Sequence, residues 1–185
     1  IRWSSEERGV LLADLEFCGV TSLVNAPPLP KHSTGTARCI AHKVSSHQGS
    51  INLSRRPTDH FVHYQEATQY WIKAMDRLPY YEKNGAVSPP AHARFLYFSD
   101  ASMAHTMCAI MNSSLFYLHF NMMSDCYHLS DTLVRAFPIP RSALSDPRLP
   151  VLAKRLMDDL EVRATTEQIR TSGGDTIRYA LLTYT

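Results

Sequence analysis

Apolar residues recur three and four positions apart between residues 101 and 118, which is the spacing of one face of a helix. Asp100 stands directly before this stretch, where its short carboxylate side chain can cap the first turn. The pattern therefore predicts one long helix that begins after Asp100. Its apolar face consists of Ala104, Met107, Cys108, Met111, Leu115 and Leu118.

Three small polar residues interrupt this predicted helix near its middle. Asn112, Ser113 and Ser114 are poor helix formers, and a helix that only fills a core has little use for them. A second polar group follows in the segment 124–128, which reads SDCYH. Both groups therefore need a role other than core packing.

Two short segments have the composition of β-strands. Residues 60–65 and 93–98 are rich in aromatic and β-branched side chains and are bounded by residues typical of loops. Residues 67–78 suit a helix, a strand or a turn into Pro79 equally well. Asn84-Gly85 predicts a tight turn.

Helices are predicted at both ends of the chain. Residues 4–16 carry an N-terminal capping pattern followed by apolar residues at helical spacing, and 147–163 form an amphipathic helix after Pro147. Residues 36–47 suit a short helix or a strand, and 128–135 suit one or two helical turns. The segment 136–140 is extended because of its two prolines, and 172–175 form a turn.

These elements do not alternate as regular βαβ units, so we expect an α+β fold in which a small mixed or antiparallel sheet packs with helices. The predicted organisation is a domain over residues 1–146 and a C-terminal helical tail over 147–185.

Composition agrees with a folded chain. It has 185 residues, 44% of them hydrophobic, and a formal charge of +2, which argues against disorder. No apolar run approaches the ~18 residues of a membrane span. The chain begins without Met or the features of a signal peptide, so we expect a cytoplasmic protein and a piece of a longer polypeptide. Widely spaced cysteines favour reduced thiols over a disulfide framework.

No catalytic motif is evident. The sequence lacks a Gly-rich dinucleotide loop, a P-loop and a nucleophile elbow, and Cys126 with His128 has no third group to orient it. The clusters His32, Cys39, His42 and Cys126, His128 lack the paired spacing of structural zinc sites. We therefore predict no catalytic residue, metal site or cofactor in this chain.

Aromatic and amide side chains alternate with cations in the segment 64–84. Lys and Arg can bind phosphates, Gln and Asn can read base edges, and aromatic rings can stack on exposed bases. The alternative is that Tyr and Trp fill a core and keep their polar tips at the surface. Five cations between residues 135 and 155 also suit either a phosphate-binding surface or an ordinary solvated one.

Three segments in succession resemble a known family. They read HYQEATQYWIKAMDRLPYYEKNG (63–85), ARFLYF (93–98) and AIMNSSLFYLHFNMMSDCYHLSDTLVRAFPIP (109–140). This order is similar to the C-terminal region of large N6-adenine DNA methyltransferases, the fused restriction–modification enzymes of type IIG and their relatives in phage-exclusion systems. The opening RWSSEERGVLLADLEF also resembles the lead-in to that region, so the similarity covers roughly residues 1–165. Met111 departs from the family, where leucine is usual before Asn-Ser.

The resemblance implies a target-recognition domain, the part of such an enzyme that grips DNA and selects its sequence. The catalytic Asn-Pro-Pro-Tyr tetrapeptide and the Gly-rich loop for S-adenosylmethionine are absent from this chain, so the fragment is expected to be non-catalytic and to bind no cofactor. Its expected partners are double-stranded DNA and the methyltransferase domain of the same polypeptide. The alternative is a protein-interaction module that docks a methyltransferase or another defence component.

The resemblance also suggests roles for individual residues. Asn112 and Ser113 are expected to be structural, because they can organise the helix against the sheet and the 124–128 loop by bonding to buried backbone. The residues predicted to contact DNA are Tyr64, Tyr70, Lys73, Tyr80, Lys83, Asn84, Ser124, Asp125, Tyr127, His128, Arg135 and Arg141.

Overall fold

A computed structural model describes residues 35–46, 51–68 and 72–182, together with the single residues 6, 9, 10 and 13. Its helices are α1 (Gly35–Ser45), α2 (Ala101–Met111), α3 (Ser114–Met123), α4 (Asp131–Ala136), α5 (Arg141–Leu144) and α6 (Arg148–Arg163). Its strands are β1 (Phe61–Gln65), β2 (Ala74–Met75), β3 (Tyr81–Lys83), β4 (Ala86–Val87), β5 (Ala93–Tyr97), β6 (Thr165–Arg170) and β7 (Thr176–Leu181).

The strands form two small antiparallel sheets, one in the order β2-β1-β5 and the other in the order β4-β3-β7-β6. The chain therefore has the α+β fold that the sequence predicts. Both segments predicted as strands from their composition are present, as β1 and β5. The ambiguous segment 67–78 contains only the two-residue strand β2 among its described residues.

The first sheet is buried unequally on its two faces. Val62 and Tyr64 of β1 have no exposed surface and belong to the hydrophobic cluster that includes Met107 of α2. Successive side chains of a strand point to opposite faces, so His63 and Gln65 lie on the other face of β1. The helices thus cover one face of the sheet, and the second face lies beside another part of the molecule.

The single long helix predicted after Asp100 is wrong, because two helices occupy that stretch. Helix α2 ends at Met111, and Asn112 is its C-cap. Ser113 adopts an extended conformation and its hydroxyl accepts a hydrogen bond from the amide of Phe116, at 3.2 Å, so it caps the start of α3. The polar residues that interrupt the apolar pattern therefore separate two helices and satisfy their terminal backbone groups.

The side chain of Asn112 also joins the helix end to the sheet. Its Nδ2 donates hydrogen bonds to the carbonyls of Ala74 and Cys108, each at 2.8 Å. Ala74 lies in β2 and is 1% exposed. The contact is with buried backbone, as expected for Asn112, but the backbone belongs to the sheet and to α2 and not to the 124–128 loop.

The C-terminal part of the chain is more than a helical tail. Helix α6 buries Ala153, Met157 and Leu160 in the same hydrophobic cluster as α2. After it, β6 and β7 form a hairpin, and β7 pairs with β3. Residues on both sides of the predicted boundary at 146/147 therefore share one sheet and one cluster of buried side chains.

The strands of this hairpin are not predicted from the sequence, whereas its turn at 172–175 is. All six residues of β6 are exposed, so the strand lacks the alternation of apolar and polar positions by which strands are recognised. The short helix α5 was also missed, since it follows directly after Pro140. The ambiguous segment 36–47 is helical over Gly35–Ser45.

Only single residues of the predicted helix 4–16 lie among those described, namely Glu6, Gly9, Val10 and Ala13, and all four are helical. Within the part of the chain that the structure describes, no helix combines the length and the apolar composition needed to cross a bilayer.

Replacing Asn112 with Leu should lower the free energy of unfolding by about 1–3 kcal/mol, because the buried carbonyl of Ala74 would lose its donor. The effect should be visible as a lower melting temperature. Ser114→Ala provides the matched control, since this neighbouring side chain is exposed. An Asn112→Leu variant that melts like the wild type would show that the two hydrogen bonds do not stabilise the fold.

Candidate nucleic-acid interface

The 124–128 loop is shaped by the carboxylate of Asp125. Its Oδ1 accepts hydrogen bonds from the amides of Tyr127 and His128, at 2.8 and 2.7 Å, and its Oδ2 lies 2.6 Å from Nδ1 of His128. The hydroxyl of Ser124 accepts from the amide of Cys126, at 2.9 Å. Cys126 takes a positive φ of 63°. Short polar side chains that bond to their own backbone are typical of such tight turns.

These hydrogen bonds explain the acidity of Asp125. The ring of His128, followed by the amides of His128 and Tyr127, holds the pKa of this carboxyl well below its ordinary value of 3.8. Asp125 is therefore ionised at neutral pH, and its carboxylate oxygens accept hydrogen bonds from within the loop. The geometry supports a role in shaping the loop.

The loop is fastened to the chain that leaves β1. The amide and hydroxyl of Thr68 both donate to the carbonyl of Tyr127, at 2.9 and 3.0 Å, and the amide of Leu129 donates to the carbonyl of Glu66, at 2.8 Å. Ala67 and His128 form an isolated antiparallel bridge. Because the backbone is anchored, the exposed side chains of Tyr127 and His128 project from a fixed platform.

The predicted DNA contact of Tyr64 is wrong. Its side chain is completely buried, and its hydroxyl donates a hydrogen bond to the carboxylate of Asp131. Burial, followed by this hydrogen bond, raises the pKa of Tyr64 far above its ordinary value. A side chain without exposed surface cannot contact DNA, so Tyr64 is a core residue that ties β1 to the start of α4.

Two arginines flank this buried pair. Arg94 and Arg135 are both exposed, and the charges of both act on the Tyr64 hydroxyl. Arg94 forms an ion pair with Glu66, at 2.8 Å. No ion pair engages Arg135 among the described residues. The acids around the loop are therefore already bonded, while Arg135 retains an exposed charge.

A second group of predicted contacts lies in the other sheet, where it holds two turns together. Lys83 forms an ion pair with Asp175, with Nζ and Oδ2 2.6 Å apart. Nδ2 of Asn84 donates to Asp175 Oδ1, and Oδ1 of Asn84 accepts from the amide of Thr176, both at 2.8 Å. Asn84 and Gly85 have φ values of 51° and 84°, as a tight hairpin turn requires. These partners favour a structural role for Lys83 and Asn84.

Lys73 and Tyr80 line a cleft of about 350 Å³ between the two sheets. His63 also lines it, and this residue was not identified from the sequence. His63 is 4% exposed, and neither ring nitrogen has a hydrogen-bond partner among the described residues. Burial lowers its pKa to about 4, so the ring is neutral at pH 7. The signal that could have revealed it is a histidine between two core residues of a strand.

The predicted contacts thus fall into separate places. Ser124, Asp125, Tyr127 and His128 share one loop, and α4 places Arg135 shortly after it. Arg141 lies exposed in α5. None of the residues 124–128 lines the cleft in the described structure, and Tyr70 lies outside the described residues.

No group of three His, Cys, Asp or Glu side chains in the described ranges could hold a metal ion. Cys108 is buried, whereas Cys39 is exposed and Cys126 is intermediate. His32, a member of one cluster considered from the sequence, lies outside the described residues.

The chain was compared with models of protein families, with curated proteins and with solved structures, and it matched none of them.

Replacing Asp125 with Ala should open the loop, because the amides of Tyr127 and His128 would lose their acceptor. Hydrogen exchange at these two amides should accelerate relative to the wild type. Asp146→Ala is the matched control, since Asp146 caps another exposed turn through Arg148. Equal exchange in the two variants would refute the shaping role.

The loop should also respond to acid in a defined direction. The folded pKa of Asp125 lies below 3.8, so its carboxylate stabilises the loop above that pH, and this stabilisation is lost as the pH falls further. Exchange at the same two amides, corrected for intrinsic rates, should therefore be constant above pH 5 and accelerate only below about pH 4.

His63 should make stability depend on pH in another range. Its pKa is 6.5 in the unfolded chain and about 4 when folded, so the unfolded state binds the extra proton between these values. Stability should rise with pH from 4 to 6.5, by up to about 3 kcal/mol, and level off above. Urea titrations of wild type and His63→Leu check this: the variant should show a weaker rise, and His60→Gln, an exposed control, should behave like the wild type.

Proposed function

We propose that this chain is the DNA-binding target-recognition region of a bacterial N6-adenine DNA modification enzyme of type II. In this proposal the fragment is non-catalytic and cytoplasmic, and the domain that binds S-adenosylmethionine and transfers the methyl group lies elsewhere in the same polypeptide. The resemblance of three successive segments to that family supports the proposal, as does the α+β fold in which those segments form β1, β5 and the helices from α2 to α4.

The observation that carries the proposal is the anchored 124–128 loop followed, on α4, by a cation that has no ion pair among the described residues. Tyr127 and His128 are exposed on a backbone held by the end of β1, and Arg135 stands on the helix that follows. Histidine and tyrosine can hydrogen-bond to bases or phosphates, and an arginine without an internal partner can neutralise a phosphate. A rigid display of these side chains would reduce the ordering cost of binding.

Ion pairing within the chain determines which cations remain for DNA. In the basic stretch from Arg135 to Arg155, Arg148 is paired with Asp146 and Lys154 lies 3.5 Å from Asp158. Within the described ranges, Arg135, Arg141 and Arg155 have no acidic partner. The surface available for phosphate contacts is therefore narrower than the count of basic residues indicates.

Mixed-sequence duplex DNA should bind to the fragment with an affinity that falls as salt rises. Fluorescence anisotropy over a series of salt concentrations gives the slope of log K against log salt, and Arg135→Ala should reduce its magnitude by about 0.9 because one phosphate contact is lost. Arg141→Ala should act similarly. Arg148→Ala is the control, since this equally exposed side chain is held by Asp146. Salt-independent binding, or none at low salt, would contradict the proposal.

A protein-interaction module is the second candidate, and the exposed apolar residues of α6 favour it. Val151 and Leu152 are 51% and 53% exposed, and Val162 near the end of the helix is 86% exposed. A partner such as a methyltransferase domain could cover these side chains. Failure to bind DNA together with binding to that domain, lost in Leu152→Ser, would favour this function.

A further inference from the structure

We propose that the cleft between the two sheets is a binding site for a single nucleobase, carried by a nucleotide or by an unstacked residue of a nucleic acid. The site is separate from the 124–128 loop and does not depend on duplex binding by that loop. The residues that line it include His63, three tyrosines and the cation Lys73.

The first reason is the unsatisfied imidazole. His63 is 96% buried, yet the described structure provides no hydrogen-bond partner for either of its ring nitrogens. Buried polar groups are paired in the great majority of proteins, because an unpaired one loses its bonds to water without replacement. Phe95 packs against the ring at a centroid distance of 5.6 Å but supplies no conventional partner. Both nitrogens are covered in the free chain, so a ligand that displaces the side chains covering the ring would complete the hydrogen bonding of His63.

The second reason is the protonation state of that ring. Because burial lowers its pKa to about 4, His63 is neutral at pH 7 and presents one N–H donor and one acceptor. A neutral ring of this kind suits a ligand that offers both a donor and an acceptor. It does not favour a carboxylate or phosphate next to His63. Nucleobase edges carry donors and acceptors side by side.

The third reason is the wall of the cleft. Tyr80 and Tyr179 line it, and their hydroxyls are held by Glu82, at 2.6 Å, and by Glu167, at 2.8 Å. Tyrosines restrained at their outer ends are ordered before a ligand arrives. Aromatic side chains stack on planar bases, and each base contributes about 1–3 kcal/mol by alanine substitution in single-strand binders.

The fourth reason is the combination of polar lining residues and volume in the cleft. Lys73 lines the cleft and is exposed, and no described acid forms an ion pair with it. Gln65 adds an amide with both donor and acceptor groups. The cleft volume of about 350 Å³ falls in the roughly 300–1,000 Å³ range of small-molecule sites. A planar ring within the cleft and a phosphate near Lys73 would use all of these features.

The first experiment measures binding of AMP and CMP by calorimetry, with ribose 5-phosphate as the probe that lacks a base. The nucleotides should bind, and the sugar phosphate should bind at least tenfold more weakly. His63→Leu should weaken nucleotide binding at least tenfold without lowering the melting temperature, because it removes an unpaired polar group. His119→Leu is the matched control, since this imidazole is also buried and its Nε2 has no partner among the described residues, but it packs between Phe116 and Phe137.

A second variant keeps the test decisive if His63→Leu does not fold. Lys73→Ala changes an exposed side chain and should weaken AMP several-fold while leaving adenosine unchanged. Imidazole ¹⁵N signals provide a direct readout, since those of His63 should shift on addition of AMP and those of His119 should not.

A further experiment distinguishes a free nucleotide from a base within a nucleic acid. It measures the fluorescence of 2-aminopurine in a duplex that leaves this base unpaired and in the same duplex fully paired. If the protein quenches the fluorescence of the bulged duplex and His63→Leu abolishes this quenching, the ligand is an unstacked nucleic-acid base. Binding of AMP alone would identify a free nucleotide. If neither probe binds, or if His63→Leu leaves both unchanged, the inference is overturned. Duplex binding that depends on Arg135 would survive that result, so the two proposals fail independently.

Discussion

The alternation of side chains along β1 is the constraint on which the other features of the molecule depend. Val62 and Tyr64 point into the hydrophobic cluster under the helices, which forces His63 and Gln65 to the opposite face. A shift of one residue in the pairing of β1 with β5 would exchange the two sets and bury Gln65 among apolar side chains. The strand therefore positions the core and the cleft at the same time. Where it ends, Glu66 and Thr68 hold the 124–128 loop.

Polar groups then connect the elements that hydrophobic packing brings together. The Tyr64 hydroxyl bonds to Asp131 at the start of α4, and the Asn112 amide bonds to the carbonyl of Ala74 in β2. Apolar contacts are weakly directional, so they define proximity better than register. Each of these two hydrogen bonds requires one specific arrangement of helix and strand, because a buried donor or acceptor that loses its partner is costly. His63 differs from these residues, since it lies on the opposite face of β1 and the described structure gives neither of its ring nitrogens a hydrogen-bond partner.

The sequence predicted the elements whose signals are local. Strands β1 and β5 have compact runs of β-forming side chains, and α6 has a regular apolar face, so all three were recognisable. The break between α2 and α3 was visible as Asn112–Ser114 but was interpreted as a feature within one helix, because helical spacing continues across it. Strand β6 could not be recognised, since its six residues are all exposed and its pairing with β7 depends on the hairpin turn. Composition alone does not decide whether Tyr64 lies in the core or at the surface. The sheet register and the absence of a partner for His63 arise from residues distant in sequence, and no local pattern encodes them.

The distribution of charge limits how strongly this fragment could hold DNA. A formal charge of +2 includes many cations that are already paired, such as Lys83 with Asp175 and Arg94 with Glu66, and an exposed pair of this kind contributes little to a long-range field. Within the stretch from 135 to 155, the arginines that have no acidic partner among the described residues lie on α4, α5 and α6 and not along one helix face. Affinity for non-specific DNA would therefore be low, because that affinity grows with the number of phosphates neutralised. In the proposed parent enzyme this weakness would be compensated by the methyltransferase domain, since attachment to a second DNA-binding unit raises the effective concentration of the fragment at its site. When a second unit supplies most of the affinity, a small rigid surface contributes chiefly by selecting among sequences. A preorganised loop such as 124–128 is suited to that task.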